Sequence, residues 1–246
     1  FLPMLMGLGC NVPAIMAARD IKNPKDRTLT MLMVPFISCS ARLPVYMLFV
    51  DTFFERYKAL VMVSLYAIGI LIAILFAIVM KRTKWFKQES SDQVNELPEF
   101  RIPKFKRVAA HVWERAEDYL QKIGTVIVWA SIIIWALQYF PQQDLSDIEH
   151  SYLAMIGQAI EPIMTPLGFD WKLGIGLLSG VGAKELVVSS LGVLYTNEED
   201  IESVNLSNRI PITPVAALAY MLFVLIYFPC VATLAAIKQE SGSWKW

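Results

Sequence analysis

The sequence "GLGCNVPAI", residues 7–15, stands inside a segment without a charged residue from Phe1 to Ala18. A plain lipid-facing helix needs neither two glycines nor a thiol, a carboxamide and a proline within seven positions. Glycine and proline loosen the helical hydrogen-bond ladder. Inside a bilayer the freed backbone groups are tolerated only within protein or beside a water-filled cavity. Either this segment is not a membrane helix, or its break serves a purpose.

The remainder of the chain decides for the membrane. Of 246 residues, 56% are hydrophobic and only 18% are charged, and mean hydropathy is +0.48. A soluble domain carries about a quarter charged residues. Ala59–Met80, Ile123–Phe140 and Val215–Ile237 contain no charge; Thr28–Val50 is interrupted only by Arg42, and Leu173–Tyr195 only by Lys184 and Glu185. Each approaches or exceeds the roughly 17–25 residues that span a bilayer. The expected class is all-α, a polytopic transmembrane helical bundle. The formal net charge of zero gives no reason to expect a nucleic-acid partner. Cys10, Cys39 and Cys230 all lie in apolar segments without CxxC spacing, which argues against a disulfide framework or a structural zinc finger. A first residue Phe1 and a last stretch "SGSWKW" read as a piece of a larger membrane protein.

Basic residues orient the spans. Residues 81–107 carry eight Lys and Arg against four acidic residues, and 19–27 contains Arg19, Lys22, Lys25 and Arg27. Both segments are expected in the cytoplasm, and 141–150, which has no Lys or Arg, outside. Residues 104–121 place Phe105, Val108, Val112, Trp113 and Leu120 on one stripe, as in an amphipathic helix along the inner surface. Pro162 and Pro166 interrupt the short apolar stretch 151–169, which reads as re-entrant or interfacial. The organisation is then a first repeat at 1–58, a span at 59–80, a basic linker with the interfacial helix at 81–121, a span with the short element at 122–172, and a second repeat at 173–246.

The repeat rests on two pairs of motifs. "GLGCNVPA" at 7–14 matches "GVGAKELV" at 180–187 as Gly-x-Gly, a small residue, then polar groups. "SCSARLP" at 38–44 and "PCVATLA" at 229–235 both read Cys-x-Ala-x-Leu. Each half offers a broken helix followed by a helix with a central cysteine, with breaks expected near 9–13 and 180–184. Transporters use discontinuous helices at corresponding places of two repeats to hold an ion near the midplane. Gly-x-Gly also serves close helix packing, and the motif alone leaves both readings open. The charges shift the balance. Arg42, Lys184 and Glu185 would each cost on the order of 3 kcal/mol at a helix centre. Lys184 and Glu185 are adjacent and lie about 100° apart on a helix, so each needs another partner.

These residues carry a family resemblance. "GLGCNVPAIMAAR", "MLMVPFISCSARLPVY", "PLGFDWKLGIGLLSGVGAKELVVSSLGVLY" and "YFPCVATLAAIKQESGSWKW" together resemble the membrane region of FeoB, the bacterial ferrous iron transporter. The resemblance spans essentially the whole chain, and its paired repeats look like the two gate domains of that family. It implies Fe²⁺ uptake across the bacterial inner membrane by a multi-pass protein. It also implies a GTPase domain, with GTP and Mg²⁺, and a helical regulatory domain outside this chain. Small cytoplasmic accessory proteins and a homo-oligomer are the further partners implied, besides the bilayer. No Gly-x₄-Gly-Lys-Ser/Thr loop is present here, and "GVGAKE" is not one, so this stretch should neither bind GTP nor act as an enzyme.

A pore for a divalent transition metal needs donors that replace water yet release the ion, mixed in number and softness. Cys10 and Cys39 in the first gate, with Cys230 and Glu185 in the second, are the expected metal ligands. Asn11, Ser38, Ser40 and Thr233 are the supporting oxygen donors, while Lys184 and Arg42 hold carboxylates or helix ends. His111 and His150 read as peripheral. The competing readings are a nucleoside or other solute carrier, which wants more carboxamides and carboxylates, and an intramembrane protease. The latter has no HExxH and no span with two carboxylates.

Overall fold

A computed structural model describes residues 2–83, 104–139, 152–195, 212–227 and 229–242. Every regular element among them is helical. The bulk of the basic linker, the 141–150 loop, His150 and the last four residues lie outside the described residues. Three described stretches are long and apolar enough to cross a membrane: Pro24–Phe53, Glu55–Arg82 and Pro214–Ser241.

The first repeat opens with α1 (Leu2–Gly7) and α2 (Asn11–Ala17), separated by a turn at Leu8–Cys10. This is one of the two expected breaks. Cys10 is extended at φ −145°, ψ 134°, while Pro13 sits inside the first turn of α2. There its missing N–H is one the helix would not have paired. The proline thus starts a helix rather than breaking one.

The stretch expected as one helix over 28–50 is two. α3 (Pro24–Met33) runs into a 3₁₀ turn at Val34–Phe36, the chain extends through Ile37 and Cys39, and a second 3₁₀ turn at Ser40–Arg42 leads into α4 (Leu43–Phe53). Pro35 and Pro44 bracket the gap, each seated at the start of its element. Neither can donate the backbone bond that a continuous helix requires. α5 (Lys58–Arg82) is an unbroken span as expected.

α6 (Phe105–Tyr139) joins two of the expected elements. The amphipathic segment 104–121 and the span from 123 form one helix of 35 residues, unbroken by Gly124. Its length, about 1.5 Å per residue, exceeds a hydrocarbon core of about 30 Å. α7 (Tyr152–Met164) has 13 residues with Pro162 inside it, and a 3₁₀ turn at Thr165–Leu167 follows, capped by Gly168 in the left-handed region (φ 75°). It is shorter than a full crossing, as the sequence suggested, and lies against α8.

The second repeat mirrors the first. α8 (Trp171–Gly182) and α9 (Glu185–Tyr195) are separated at Ala183–Lys184, the other expected break. Asp170 caps α8 by accepting from the Leu173 N–H at 2.9 Å, and its other oxygen accepts from the Tyr195 hydroxyl at 2.6 Å. The expected helix over 215–237 is again two, α10 (Pro214–Ile226) and α11 (Val231–Ser241), with Tyr227 and Cys230 extended and Pro229 between them. A proline disfavours helical backbone before it. Each half therefore holds two broken helices, and the cysteine marks the second break rather than a helix centre.

The halves interlock reciprocally: α2 of the first lies on α11 of the second, and α9 of the second lies on α4 of the first. Two cores result. Val12, Ile15, Ala232 and Ile237 fill the α2–α11 seam. Tyr46, Phe49, Leu173, Leu191 and Tyr220 fill the larger one. Gly180 is required where α8 meets α9 and the end of α10. A Cβ there would come within 2.5 Å of Val187 Cγ2 and overlap the Tyr227 hydroxyl. Gly180→Val is therefore expected to lower stability by about 1–3 kcal/mol, read as a lower melting temperature of the detergent-solubilised protein; an unchanged melt would show that the seam is slack.

Candidate ion site at four helix breaks

All four breaks meet at one cavity of about 240 Å³. Cys10 precedes α2, Cys39 precedes the turn into α4, Lys184 and Glu185 open α9, and Cys230 precedes α11. These five residues line the cavity together with Asn11, Ser40, Arg42 and Thr233. Of the residues singled out in the sequence, only Ser38 is not on its wall. Ser38 is buried and shares a hydrogen bond of 3.3 Å with the Tyr46 hydroxyl.

The breaks supply one another with hydrogen bonds. The Gly9 carbonyl, released at the first break, accepts from the Ser40 N–H at 3.0 Å and the Ser40 hydroxyl at 2.7 Å. The Arg42 guanidinium donates through Nη1 to the Ile37 carbonyl (3.4 Å) and through Nη2 to the Pro35 carbonyl (3.2 Å). A buried cation is thus placed where the α3 segment ends, the end of a helix that favours positive charge. The cysteine and threonine of the second repeat are also paired, with Cys230 Sγ 3.0 Å from Thr233 Oγ1. The Lys184 ammonium lies 3.4 Å from the centre of the Tyr227 ring, whose hydroxyl donates to the Leu177 carbonyl at 3.3 Å. That cation–π contact helps to carry a buried charge.

Two residues of the wall each keep one buried side-chain atom without a hydrogen-bond partner. Asn11 Oδ1, an acceptor, and Arg42 Nε, a donor, are both buried and unpaired. Glu185, expected as a buried charge, is exposed at the cavity's edge, because it is the first residue of α9. Among the described residues no three His, Cys, Asp or Glu side chains converge closely enough to form a metal cluster. The thiols and the carboxylate surround a space instead of closing on a point. Such an arrangement suits an ion that keeps part of its water and leaves again. His111 is exposed on α6, 4.0 Å from the Glu114 carboxylate, and lines a separate cavity with Met16 and Asp20.

The sequence reading missed the Gly9–Ser40 link, although a serine next to Cys39 was visible. It also missed Tyr227 beneath Lys184 and the paired hydrogen bonds from Arg19 to the Glu240 carboxylate. The last two join residues 43 and 221 positions apart, and no local pattern announces them.

Comparison with known proteins adds the lineage. The gate family model described as "Nucleoside recognition" matches residues 1–53 and 120–244, and "Ferrous iron transport protein B C terminus" matches 62–115. This chain belongs to the ferrous iron transport protein B family. The chain is 44% identical over 248 residues to the Fe(2+) transporter FeoB of Staphylococcus aureus. It is 45% identical over 255 residues to that of Methanocaldococcus jannaschii. It is 42% identical over 294 residues to an "Fe(2+) transport protein A/Fe(2+) transporter FeoB fusion protein" of Porphyromonas gingivalis. In each case all of the chain is covered, but only 37%, 37% and 35% of the relative. The chain thus spans little more than a third of these relatives' length. No solved structure matches it.

Proposed function

We propose that this chain forms the ion-conducting membrane part of a ferrous iron importer of the bacterial inner membrane. The observation that carries the reading is the meeting of four broken helices at one cavity, with three thiols, a carboxamide and a carboxylate on its wall. Cys10, Cys39 and Cys230 supply soft donors, Asn11 Oδ1 an unpaired oxygen, and Glu185 a negative charge at the mouth. Thiolate selects borderline-soft metals over Mg²⁺ and Ca²⁺. Ser40 and Thr233 act through their neighbours, one holding the Gly9 carbonyl and the other the Cys230 thiol. Arg42 and Lys184 brace helix ends and do not contact the metal.

The chain itself is not an enzyme in this reading. A linked GTPase domain, using GTP and Mg²⁺, lies elsewhere in the full-length protein and drives or gates passage. The names of the relatives support the cargo, and the fused relative supports a small accessory partner. A homo-oligomer is the remaining proposed partner.

The test is uptake by cells making the full-length protein. Radioactive Fe²⁺ should accumulate well above vector-only cells, while labelled uridine should not. Uridine uptake without Fe²⁺ uptake would replace this reading with the nucleoside carrier.

A further inference from the structure

A second cavity, of about 370 Å³, is walled by α1, by the face of α2 with the turn that follows it, and by α6. α2 serves both cavities. Cys10, Asn11 and Val12 line the ion cavity where the helix begins. Pro13, Met16, Ala17 and Asp20 line the second, at the spacing of one helical face. With a rise of about 1.5 Å per residue, Asp20 stands about 14 Å beyond Asn11. Arg19, Lys22, Lys25 and Arg27 surround Asp20 in the chain, which makes this the cytoplasmic end by the positive-inside rule.

The wall is apolar except for two side chains, the Asp20 carboxylate and the His111 imidazole of α6, and two of its apolar members are the thioethers Met6 and Met16. An apolar pocket with a few converging polar groups is the usual form of a ligand site. Glu114, one turn along α6, keeps its carboxylate 4.0 Å from His111 Nδ1. That is too far for a hydrogen bond, yet it sets a second negative charge beside the ring. Among the described residues neither the imidazole nor the Asp20 carboxylate is engaged in a hydrogen bond. Arg19, next to Asp20 in the chain, is committed to the Glu240 carboxylate.

Imidazole, carboxylate and thioether together suit a divalent transition metal such as Fe²⁺. Mg²⁺ and Ca²⁺ want a shell of oxygens that this wall does not offer. A resident metal takes three or four strong protein ligands. Two strong donors and two weak ones hold an ion loosely, with water in its remaining positions.

We propose that this cavity is a second, low-affinity site for a divalent transition metal, bound by His111 and Asp20 with Met16 and Met6 beside it. The site rests on these side chains alone. Its role, to receive the ion leaving the helix-break cavity toward the cytoplasm, rests on the function proposed above.

Iron-directed oxidation of the purified full-length protein tests the site. With Fe²⁺, ascorbate and dissolved oxygen, a bound iron oxidises the side chains around it, and methionine sulfoxide is read by peptide mass spectrometry. Sulfoxide at Met16 and Met6 should rise with Fe²⁺ and saturate, while Met47, which is 50% exposed but not on this wall, stays at its iron-free level. Excess Co²⁺ should protect Met16 and excess Mg²⁺ should not. His111→Gln and Asp20→Asn, both at exposed positions, should each raise the half-saturating Fe²⁺ at Met16 by roughly tenfold or more. No saturable oxidation at Met16, protection by Mg²⁺, or an unchanged midpoint in both variants overturns the site. Fe²⁺ uptake by cells should fall severalfold in His111→Gln; normal uptake in a variant whose midpoint has shifted overturns the receiving role. Failure of the importer reading would leave the oxidation result standing, so the two fail separately.

Discussion

Replacing Cys39 by serine is expected to cut Fe²⁺ uptake by the full-length protein on the order of tenfold or more, with normal protein level and normal GTP hydrolysis. Cys39 is 8% exposed, lies on the cavity wall, and opens the second break of the first repeat. Serine keeps the size but exchanges a soft, ionisable donor for a hard one that stays protonated. Cys10→Ser should have a similar effect, because Cys10 stands at the first break facing the same space. Glu185→Gln should act more weakly, since the carboxylate is exposed at the edge and works by attraction rather than by a buried contact. Metal binding by a thiol releases a proton, so uptake should also fall as pH is lowered, and that slope should flatten in Cys39→Ser. Cysteines that merely fill space predict the reverse pattern: Cys→Ala harmless to uptake, and losses only through reduced protein. Normal uptake in Cys10→Ser, Cys39→Ser and Glu185→Gln together would remove the site.

Much of this arrangement was legible in the sequence, for reasons that differ by element. Ala59–Met80 read correctly because an uncharged run has one stable form in lipid, and α5 is that helix. The breaks at Leu8–Cys10 and Ala183–Lys184 were visible because Gly-x-Gly followed by polar groups cannot face lipid. The breaks at Cys39 and Cys230 were not seen, although Pro35, Pro44 and Pro229 stood beside them. A proline near an apolar run allows either a kinked helix or two helices. Only the hydrogen-bond partners, Arg42 for the Pro35 and Ile37 carbonyls and Ser40 for Gly9, select the second. The repeat motifs were read as linear echoes. Their real content is that Cys10, Cys39, Cys230 and Glu185 each sit at the start of a helical element, so one cavity gathers them. Glu185 was expected to be buried because its segment is apolar. Burial follows the helix face, and Lys184, one residue earlier, turns inward in its place.

Reversing one charge of the Arg19–Glu240 pair is expected to disable the protein, and reversing both to restore it. Arg19 follows α2, Glu240 is near the end of α11, and the guanidinium grips both carboxylate oxygens. The Glu240 side chain is 7% exposed and that of Arg19 31%. The pair closes the far end of the α2–α11 seam, whose near end is the cavity with Cys10 and Cys230. It therefore ties the first repeat to the second at the end of the seam away from the cavity. Removing one partner of a fully buried pair costs about 3–5 kcal/mol, and the partial exposure of Arg19 brings the expectation to about 1–3 kcal/mol. Arg19→Glu places two carboxylates together and should lower the melting temperature by roughly 5 °C and reduce Fe²⁺ uptake with it. Gate repeats that rock against each other need some seams to hold while others open. If α2 and α11 move as one body, Arg19→Glu with Glu240→Arg should recover both stability and uptake. Recovery of stability alone would mean that this seam must part during transport and that the natural pair sets how readily it does. A double variant no better than the worse single one would show that the two side chains act independently, and the clasp would be discarded.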